Sequence, residues 1–279
     1  MRTVGGFLRI AFGVIVSSDC VLSVLAESEK KTQESPNTSL ARPVSSVPLN
    51  ARILDAIERM PVGGGYAVTR AASRGLGKTI RLDENEQFSV EAALAQPSYC
   101  SGATYLVLLM ALEYEIGKLQ DTEKRSALVR RLKIESQADG VGIWGRWNAN
   151  GPCMAVWFAE SGMGYSFWDY ESAQSGDFLK LWWKDAIGRD EAGHSVVFLG
   201  YSVTEEGEKG VEIWSSNKPL GYGKKVVPFT KIRHALFSRC DHPERIANLL
   251  RLPERNEVLA GMLKRNISRE EIDRLIERR

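Results

Sequence analysis

The sequence predicts an α+β fold in which one buried helix packs against an antiparallel sheet. A strongly apolar run of helical length follows residue 100, and apolar side chains occur nearly all round its first half. Five shorter apolar runs between residues 178 and 238 have the length of strands. The polar segment 202–210, which ends in glycine, joins the second and third of these runs and is typical of a hairpin.

The N-terminus has the pattern of an export signal. Arg2 and Arg9 accompany a short apolar run, 10–16, and the small-residue step 24–26 offers a cleavage site. The run is too short for a stable membrane span. We therefore expect residues 1–26 to be a signal peptide and the mature chain to be secreted or periplasmic. The alternative is a frayed N-terminal helix.

Four segments follow from composition and pattern. Residues 27–48 are rich in Ser, Pro, Lys and Glu and predict a flexible leader. A catalytic domain is expected over 49–242, with a helix to about residue 60 and an amphipathic helix over 122–134. A helical extension is expected over 243–279. Its last helix opens on a capping box, Ser268 followed three residues later by Glu271.

The predicted strands all lie in the second half of the domain. They are 178–183, 195–201, 211–215, 226–229 and 235–238. The segment 140–176 before them is dense in Gly and Trp, and predicts loops and short strands inserted into the domain.

Length, charge and cysteine content narrow the class of protein. The chain has 279 residues and a formal net charge of +2, without the basic clustering that nucleic-acid binding requires. Three cysteines follow residue 26, so in an oxidising compartment at least one thiol stays unpaired. Either Cys153 pairs with Cys240 and leaves Cys100 free, or all three are unpaired. The oligomeric state is not fixed by the sequence.

Cys100 stands where the apolar helix begins, a position that favours reactivity. The first turn of a helix presents unpaired N–H groups and the positive end of the helix dipole. Both stabilise a thiolate, and the backbone N–H of Cys100 could serve as half of an oxyanion hole. The alternative is a cysteine that only packs.

His194 and Asn217 are the candidate partners of Cys100. His194 opens the longest apolar strand and could take the thiol proton and return it to a leaving amine. If the chain turns between residues 205 and 206, residue 217 lies opposite residue 194, so Asn217 could orient the imidazole. Ser215 lies on the same strand face and is the second candidate. Alternatively, His194 is a capping or surface histidine, and the polar segment that contains Ser215 and Asn217 simply ends the strand.

In these motifs the chain resembles papain-like cell-wall hydrolases of the NlpC and CHAP types. Tyr99-Cys100-Ser101-Gly102 is similar to their Cys-Ser-Gly step at the start of a buried helix, and Gly193-His194 to their Gly-His step into a strand. Gly176-Asp177 before a strand is also similar. The resemblance covers about residues 95–240. It departs from the family at Tyr99, where Asp is frequent, and in the 94 residues that separate the Cys from the His.

The resemblance implies a papain-like fold and hydrolysis of an amide bond. Cys100 would attack the carbonyl and form an acyl-enzyme, Tyr99 and Ser101 would contact the substrate, and no cofactor would be needed. A peptide bond in the stem or crosslink of peptidoglycan is the implied substrate. Two other functions stay open: an acyl- or amide-transferase that uses the same Cys and His, and a non-catalytic envelope-binding protein of the same fold.

The tryptophans of the inserted segment allow two interpretations. Trp144, Trp147 and Trp168 could line a substrate groove, because aromatic faces stack well on sugars and peptides. The alternative is packing in the core. No metal site is expected, since the three histidines and the cysteines lack the spacing of metal ligands.

Overall fold

Residues 48–277 are described by the computed structural model. The predicted signal peptide, 1–26, and the predicted leader, 27–48, lie outside the described residues, apart from Pro48. The α-helices of the described part are α1 (Leu49–Arg59), α2 (Arg70–Leu76), α3 (Cys100–Gly117), α4 (Thr122–Leu132), α5 (Gly142–Asn148), α6 (Cys153–Ser161), α7 (Glu257–Gly261) and α8 (Arg269–Ile276).

The strands of the described part follow in chain order. They are β1 (Gly63–Gly64), β2 (Ile80–Leu82), β3 (Phe88–Val90), β4 (Gly164–Phe167), β5 (Phe178–Trp182), β6 (Ile187–Gly188), β7 (Gly193–Val203), β8 (Lys209–Asn217), β9 (Gly221–Pro228), β10 (His234–Cys240) and β11 (Asn266–Ile267). Short 3₁₀ helices occur at Ala92–Leu94, Phe229–Lys231 and Pro243–Arg251.

Seven strands form the main sheet, in the order β1-β9-β8-β7-β5-β10-β4. Every neighbouring pair in it is antiparallel. The pairs β2–β3 and β6–β11 form two small separate sheets. The expectation of helices combined with an antiparallel sheet is therefore confirmed, and the predicted strands correspond to β5 and β7–β10.

Side chains alternate between the two faces of this sheet, as the pleat requires. On β5, Phe178 and Trp182 belong to the large buried cluster that includes the helices, whereas Leu179 and Leu181 belong to a second cluster on the opposite face. The second cluster is covered by partly buried residues of the connecting loops, among them Tyr170 and Trp183.

Helix α3 is the central helix of the molecule. Its residues from Ser101 to Leu112 are all buried, as expected for a helix that is apolar all round. It packs against α1 on one side and against β7 and β8 on the other. Within residues 48–277 no helix combines the length and the apolar character that crossing a membrane would take.

The prediction of loops and short strands over 140–176 is wrong in its first half. Helices α5 and α6 occupy that half, and only β4 is a strand. The glycines that suggested loops serve close packing instead: a Cβ on Gly145 would lie 2.2 Å from the carbonyl oxygen of Ala138. Burial of the aromatic side chains stabilises these helices despite their glycines.

The C-terminal segment is not the purely helical extension that the sequence predicted. It contains a 3₁₀ helix, α7, strand β11 and α8, and β11 pairs with β6 of the domain. Its apolar side chains share the main buried cluster. The capping box is confirmed: the Ser268 hydroxyl accepts the Glu271 N–H, and the Glu271 carboxylate accepts the Ser268 N–H.

Candidate active site

Cys100 is the first residue of α3 and is partly exposed. The preceding residue, Tyr99, is extended, so the helix starts abruptly at the cysteine. The loop before it is held by Ser98, whose carbonyl accepts the hydroxyl of Ser216 on β8. The thiol therefore lies at the positive end of a buried helix, beside the sheet.

His194, the second residue of β7, contacts Cys100. Its ring and the backbone N–H of Ser195 both lie close enough to the sulfur to lower the pKa of the thiol. The Nε2 atom of the ring lies 3.1 Å from Oδ1 of Asn217. Because Nε2 is engaged by Asn217, Nδ1 is the ring nitrogen left for the sulfur.

The side-chain amide of Asn217 is fixed in one orientation. Its Nδ2 group donates to the carbonyl oxygens of Gly223 at 2.8 Å and Ser215 at 3.2 Å. A flipped amide would place its oxygen against these two acceptors, so Oδ1 must face the imidazole. Asn217 thus accepts a hydrogen bond from the Nε2–H group and holds the ring toward Cys100.

A β-bulge brings His194 and Asn217 into register. Near the turn, Val203 pairs with Lys209. If this register continued along both strands, residue 218 rather than residue 217 would lie opposite residue 194. The register shifts by one residue between Phe198 and Gly200, and beyond it Val197 pairs with Trp214. The turn is therefore displaced from its predicted position between residues 205 and 206. The bulge shifts the register by one residue, so that Asn217 comes to lie beside His194 as predicted.

The electrostatics of the site favour a charged pair. Burial opposes ionisation of the Cys100 thiol, but the hydrogen bond and charge of His194, the Ser195 N–H and the charge of Lys180 lower its pKa to about 6. Burial also disfavours the imidazolium, yet the contact with Cys100 and the bond to Asn217 raise the pKa of His194. Both shifts favour a thiolate–imidazolium pair over the neutral thiol and imidazole.

A buried ion pair lies behind the thiol. Lys180 on β5 is opposite Ser195 in the β5–β7 register and is only 7% exposed. Its ammonium lies 3.0 Å from the carboxylate of Glu191, which also accepts the N–H groups of Gly151 and Gly188 and the indole N–H of Trp182. Burial lowers the pKa of Lys180, but Glu191 together with Cys153 and Cys100 outweighs burial and raises that pKa, so the ammonium stays charged.

Tyr66 is a site residue that sequence analysis missed. Its hydroxyl lies next to the Cys100 sulfur; burial, followed by the charge of Cys100, raises its pKa. Backbone bonds from Ser98 N to the Gly65 carbonyl, 3.2 Å, and from Ala67 N to the Ser98 carbonyl, 2.9 Å, place it there. Only the neighbouring run of three glycines was a local signal, and it indicated a turn.

Three other predicted site residues form hydrogen bonds within the protein. The Ser215 hydroxyl donates to the Ser195 carbonyl at 2.8 Å and does not meet the imidazole. Tyr99 is buried with its hydroxyl 3.4 Å from Ser73, and Ser101 is buried and donates to Asn148 at 2.6 Å. The Ser215 side chain therefore does not orient His194, and the side chains of Tyr99 and Ser101, which were predicted to contact the substrate, are engaged within the protein.

The described part of the chain does not contain the predicted substrate groove lined by three tryptophans. Trp144 and Trp147 are 2% and 0% exposed and pack on Tyr105 inside the core. Trp168 lies under the C-terminal segment, where its indole N–H donates to Asp273 and Arg269 covers its ring at 4.5 Å. None of the three offers a free face. Trp183, whose ring centre is 6.4 Å from that of His194, is the tryptophan at the site.

The described cysteines are all free. Cys153 and Cys240 are buried and unpaired, which excludes the disulfide between them and leaves the alternative of three separate thiols. Burial raises the pKa of Cys153 to about 11 and raises that of Cys240 still further. Cys100 is therefore the reactive thiol among residues 48–277.

A groove of about 1000 Å³ opens beside the site. It runs over the sheet face that carries His194, and Tyr66, Trp183 and Asn217 line its inner end. Its outer end is lined by the β7–β8 hairpin, the end of β9, and Thr230, Lys231 and Arg233. Cys100 is not part of the lining, so the groove lies on the His194 side of the thiol.

No family model, curated protein or solved structure matches this chain.

Proposed function

We propose that this chain is a cysteine hydrolase of papain-like fold that cleaves an amide bond through a thioester on Cys100. One observation carries the proposal: a thiol at the start of a buried helix contacts His194, whose far nitrogen is held 3.1 Å from Asn217. A nucleophile, its base and a group that orients the base are thereby assembled without further movement. A non-catalytic binding protein would not need this arrangement.

In the first half of the reaction the Cys100 thiolate attacks the amide carbonyl and a C–S bond forms. The developing oxyanion is stabilised by the backbone N–H of Cys100 and by the hydroxyl of Tyr66, which already contacts the sulfur. The His194 imidazolium gives its proton to the amine nitrogen as the C–N bond breaks. The amine leaves, and the acyl group stays on Cys100.

In the second half, water hydrolyses the thioester. Neutral His194 takes a proton from the attacking water, and the new C–O bond forms as the C–S bond breaks. The acid leaves, and the thiolate–imidazolium pair is restored. Asn217 keeps the ring in place throughout, because its amide is anchored to the backbone of Gly223 and Ser215.

The proposed substrate is a peptide bond in the stem or crosslink of peptidoglycan. The support is the resemblance of the Cys-Ser-Gly and Gly-His steps to cell-wall hydrolases, together with the expected export signal. The groove beside His194 is large enough for several residues of a peptide.

Digestion of purified peptidoglycan tests this proposal. The wild-type protein should release new amino termini, and Cys100→Ala and His194→Ala should reduce their release at least 10³-fold. His234→Ala is the matched control, because His234 lies on β10, where its ring meets the Asp185 carbonyl at 3.3 Å and packs edge-on against Trp182, away from Cys100. Wild-type release no greater than that of Cys100→Ala would reject the function.

A further inference from the structure

The groove includes His194 but not the thiol, and this indicates which part of a substrate the groove can hold. In the proposed reaction His194 protonates the departing amine, so the amine-side fragment must lie next to its ring. The groove is lined by His194 but not by Cys100. A fragment that extends from the amine nitrogen past the imidazole therefore enters it.

We infer that this groove binds the amine-side fragment of the substrate and that Lys225 binds a carboxylate carried by that fragment. The inference deepens the proposed function and rests on it. The occupant is a peptide-like amine that bears a negative charge a few residues from its amino group. It is either the leaving group of hydrolysis or the acceptor amine of a transfer reaction.

Lys225 is placed for this role by the register of β8 and β9. It is paired with Ile213, which lies four residues from Asn217 on the same strand face. Four residues of strand span about 13 Å, which a peptide of about four residues covers when extended. Lys225 is exposed, lines the groove and has no ion-pair partner among residues 48–277.

The floor between the site and Lys225 is open. Gly223 is the residue of β9 between them on this face, opposite Ser215. A Cβ built on Gly223 would meet no atom within 4 Å, so the space above it is free for a ligand. Lys218, beside Asn217, adds a second positive charge at the inner end, 5.2 Å over the Tyr66 ring.

Most of the other charged side chains of the groove have partners within the described chain. The charge of Lys231 acts on Glu206, Arg233 binds Asp185 at 3.0 Å, and Glu208 accepts the Thr230 hydroxyl. The outer end, lined by Glu205, Glu206 and Glu208 against Lys231 and Arg233, is therefore net negative, whereas Lys218 and Lys225 give the inner half a net positive charge. A carboxylate on the ligand completes this pattern, and an ammonium at the same position would be repelled.

Acyl transfer measures amine binding directly. p-Nitrophenyl acetate acylates Cys100 with release of p-nitrophenol; an amine then attacks the thioester, the C–N bond forms, the C–S bond breaks, and His194 takes the amine proton. Water competes to give acetate. The acceptors are Gly-rich tetrapeptide amides with a free amino terminus and one Glu at position two, three or four, each matched by its Gln counterpart.

We expect the best Glu acceptor to be favoured about 2- to 5-fold over its Gln counterpart in the ratio of transfer to hydrolysis at low salt, the range of an exposed ion pair. Lys225→Met should abolish this preference, and Lys225→Glu should invert it. Lys224→Met is the matched control, because Lys224 points to the helix side, 3.9 Å from Glu58. Gly223→Leu should reduce transfer to every acceptor.

Three results would overturn the inference while leaving the hydrolase intact: no Glu preference at any position, a preference that survives Lys225→Met, or normal transfer in Gly223→Leu. A failure of Cys100 to form any acyl-enzyme above the His194→Ala level would instead reject the proposed function. The two failures are distinguished by the release of p-nitrophenol.

Discussion

Lys180 is the residue whose position is least expected for a lysine. It is buried beside a reactive thiol, and its charge acts on both members of the catalytic pair: it lowers the pKa of Cys100 and opposes the charge of His194. Glu191 compensates this charge at 3.0 Å. Lys180 and Glu191 together determine the local charge next to the Cys100 sulfur.

Substitutions at this ion pair should move the thiol pKa in opposite directions. Lys180→Met removes a positive charge and should raise the pH at which Cys100 becomes reactive, by about one unit. Glu191→Gln removes the negative charge that balances the Lys180 ammonium, and should lower the pH at which Cys100 becomes reactive. The measurement is the pH dependence of Cys100 alkylation. Structural damage alone would shift both variants the same way, so equal shifts would contradict this role.

Tyr66 offers a second prediction at the residue scale. Tyr66→Phe removes the hydroxyl that contacts the Cys100 sulfur and should lower kcat about 10²-fold, the cost of losing one oxyanion donor. Tyr99→Phe is the control, because that hydroxyl meets Ser73. Equal rates for Tyr66→Phe and wild type would exclude the oxyanion role.

The sequence indicated part of the candidate site and not the rest, for a physical reason. Cys100, His194 and Asn217 stand at the ends of regular elements, where period and register can be read along the chain. Tyr66 reaches the thiol from a loop, through backbone bonds to Ser98 that no local pattern indicates. Lys180 lies in a strand that is buried on both faces, where a charged residue is not expected.

At the scale of elements, the C-terminal segment is part of the core rather than an appendage. Arg131 of α4 donates to the carbonyls of Leu250 and Leu252, both at 2.9 Å, and Arg146 of α5 donates to that of Pro253 at 2.7 Å. These bonds join the segment to helices that pack on α3.

Leu249 tests this interpretation. It is fully buried, so Leu249→Ala should lower the free energy of unfolding by about 2–5 kcal/mol. Leu263, in the same segment, is 57% exposed, and Leu263→Ala should change it by less than about 0.5 kcal/mol. Denaturant titration measures both. Similar small effects for the two variants would mean that the segment adds little to the core.

Elements with one strong period were predictable, and those stabilised by their surroundings were not. The apolar runs of α3, β7 and β8 can be recognised in the local sequence. Helices α5 and α6 do not, because their glycines lower helix propensity and only the burial of Trp147 and Trp157 makes the helical state favourable. The bulge at residue 199 is likewise fixed by tertiary pairing.

Across the whole described part, the site forms where two layers meet. Helix α3 covers one face of the sheet, and His194 and Asn217 stand on the strand face that carries the second cluster. Contact between thiol and imidazole is possible only at the sheet end where β7 begins.

Hydrolysis should need the charged pair of Cys100 thiolate and His194 imidazolium. The rate of hydrolysis should fall below about pH 6, where the thiolate is protonated, and should fall again above the raised pKa of His194, where the imidazolium loses its proton.

The rate of Cys100 alkylation by iodoacetamide, followed against pH by mass spectrometry, tests the central claim most directly. Cys153 and Cys240 serve as buried internal controls. We expect an inflection near pH 6 for Cys100 in the wild type, and near pH 8.5, the value of an ordinary thiol, in His194→Ala. A wild-type inflection near pH 8.5 that His194→Ala leaves unchanged would contradict the account.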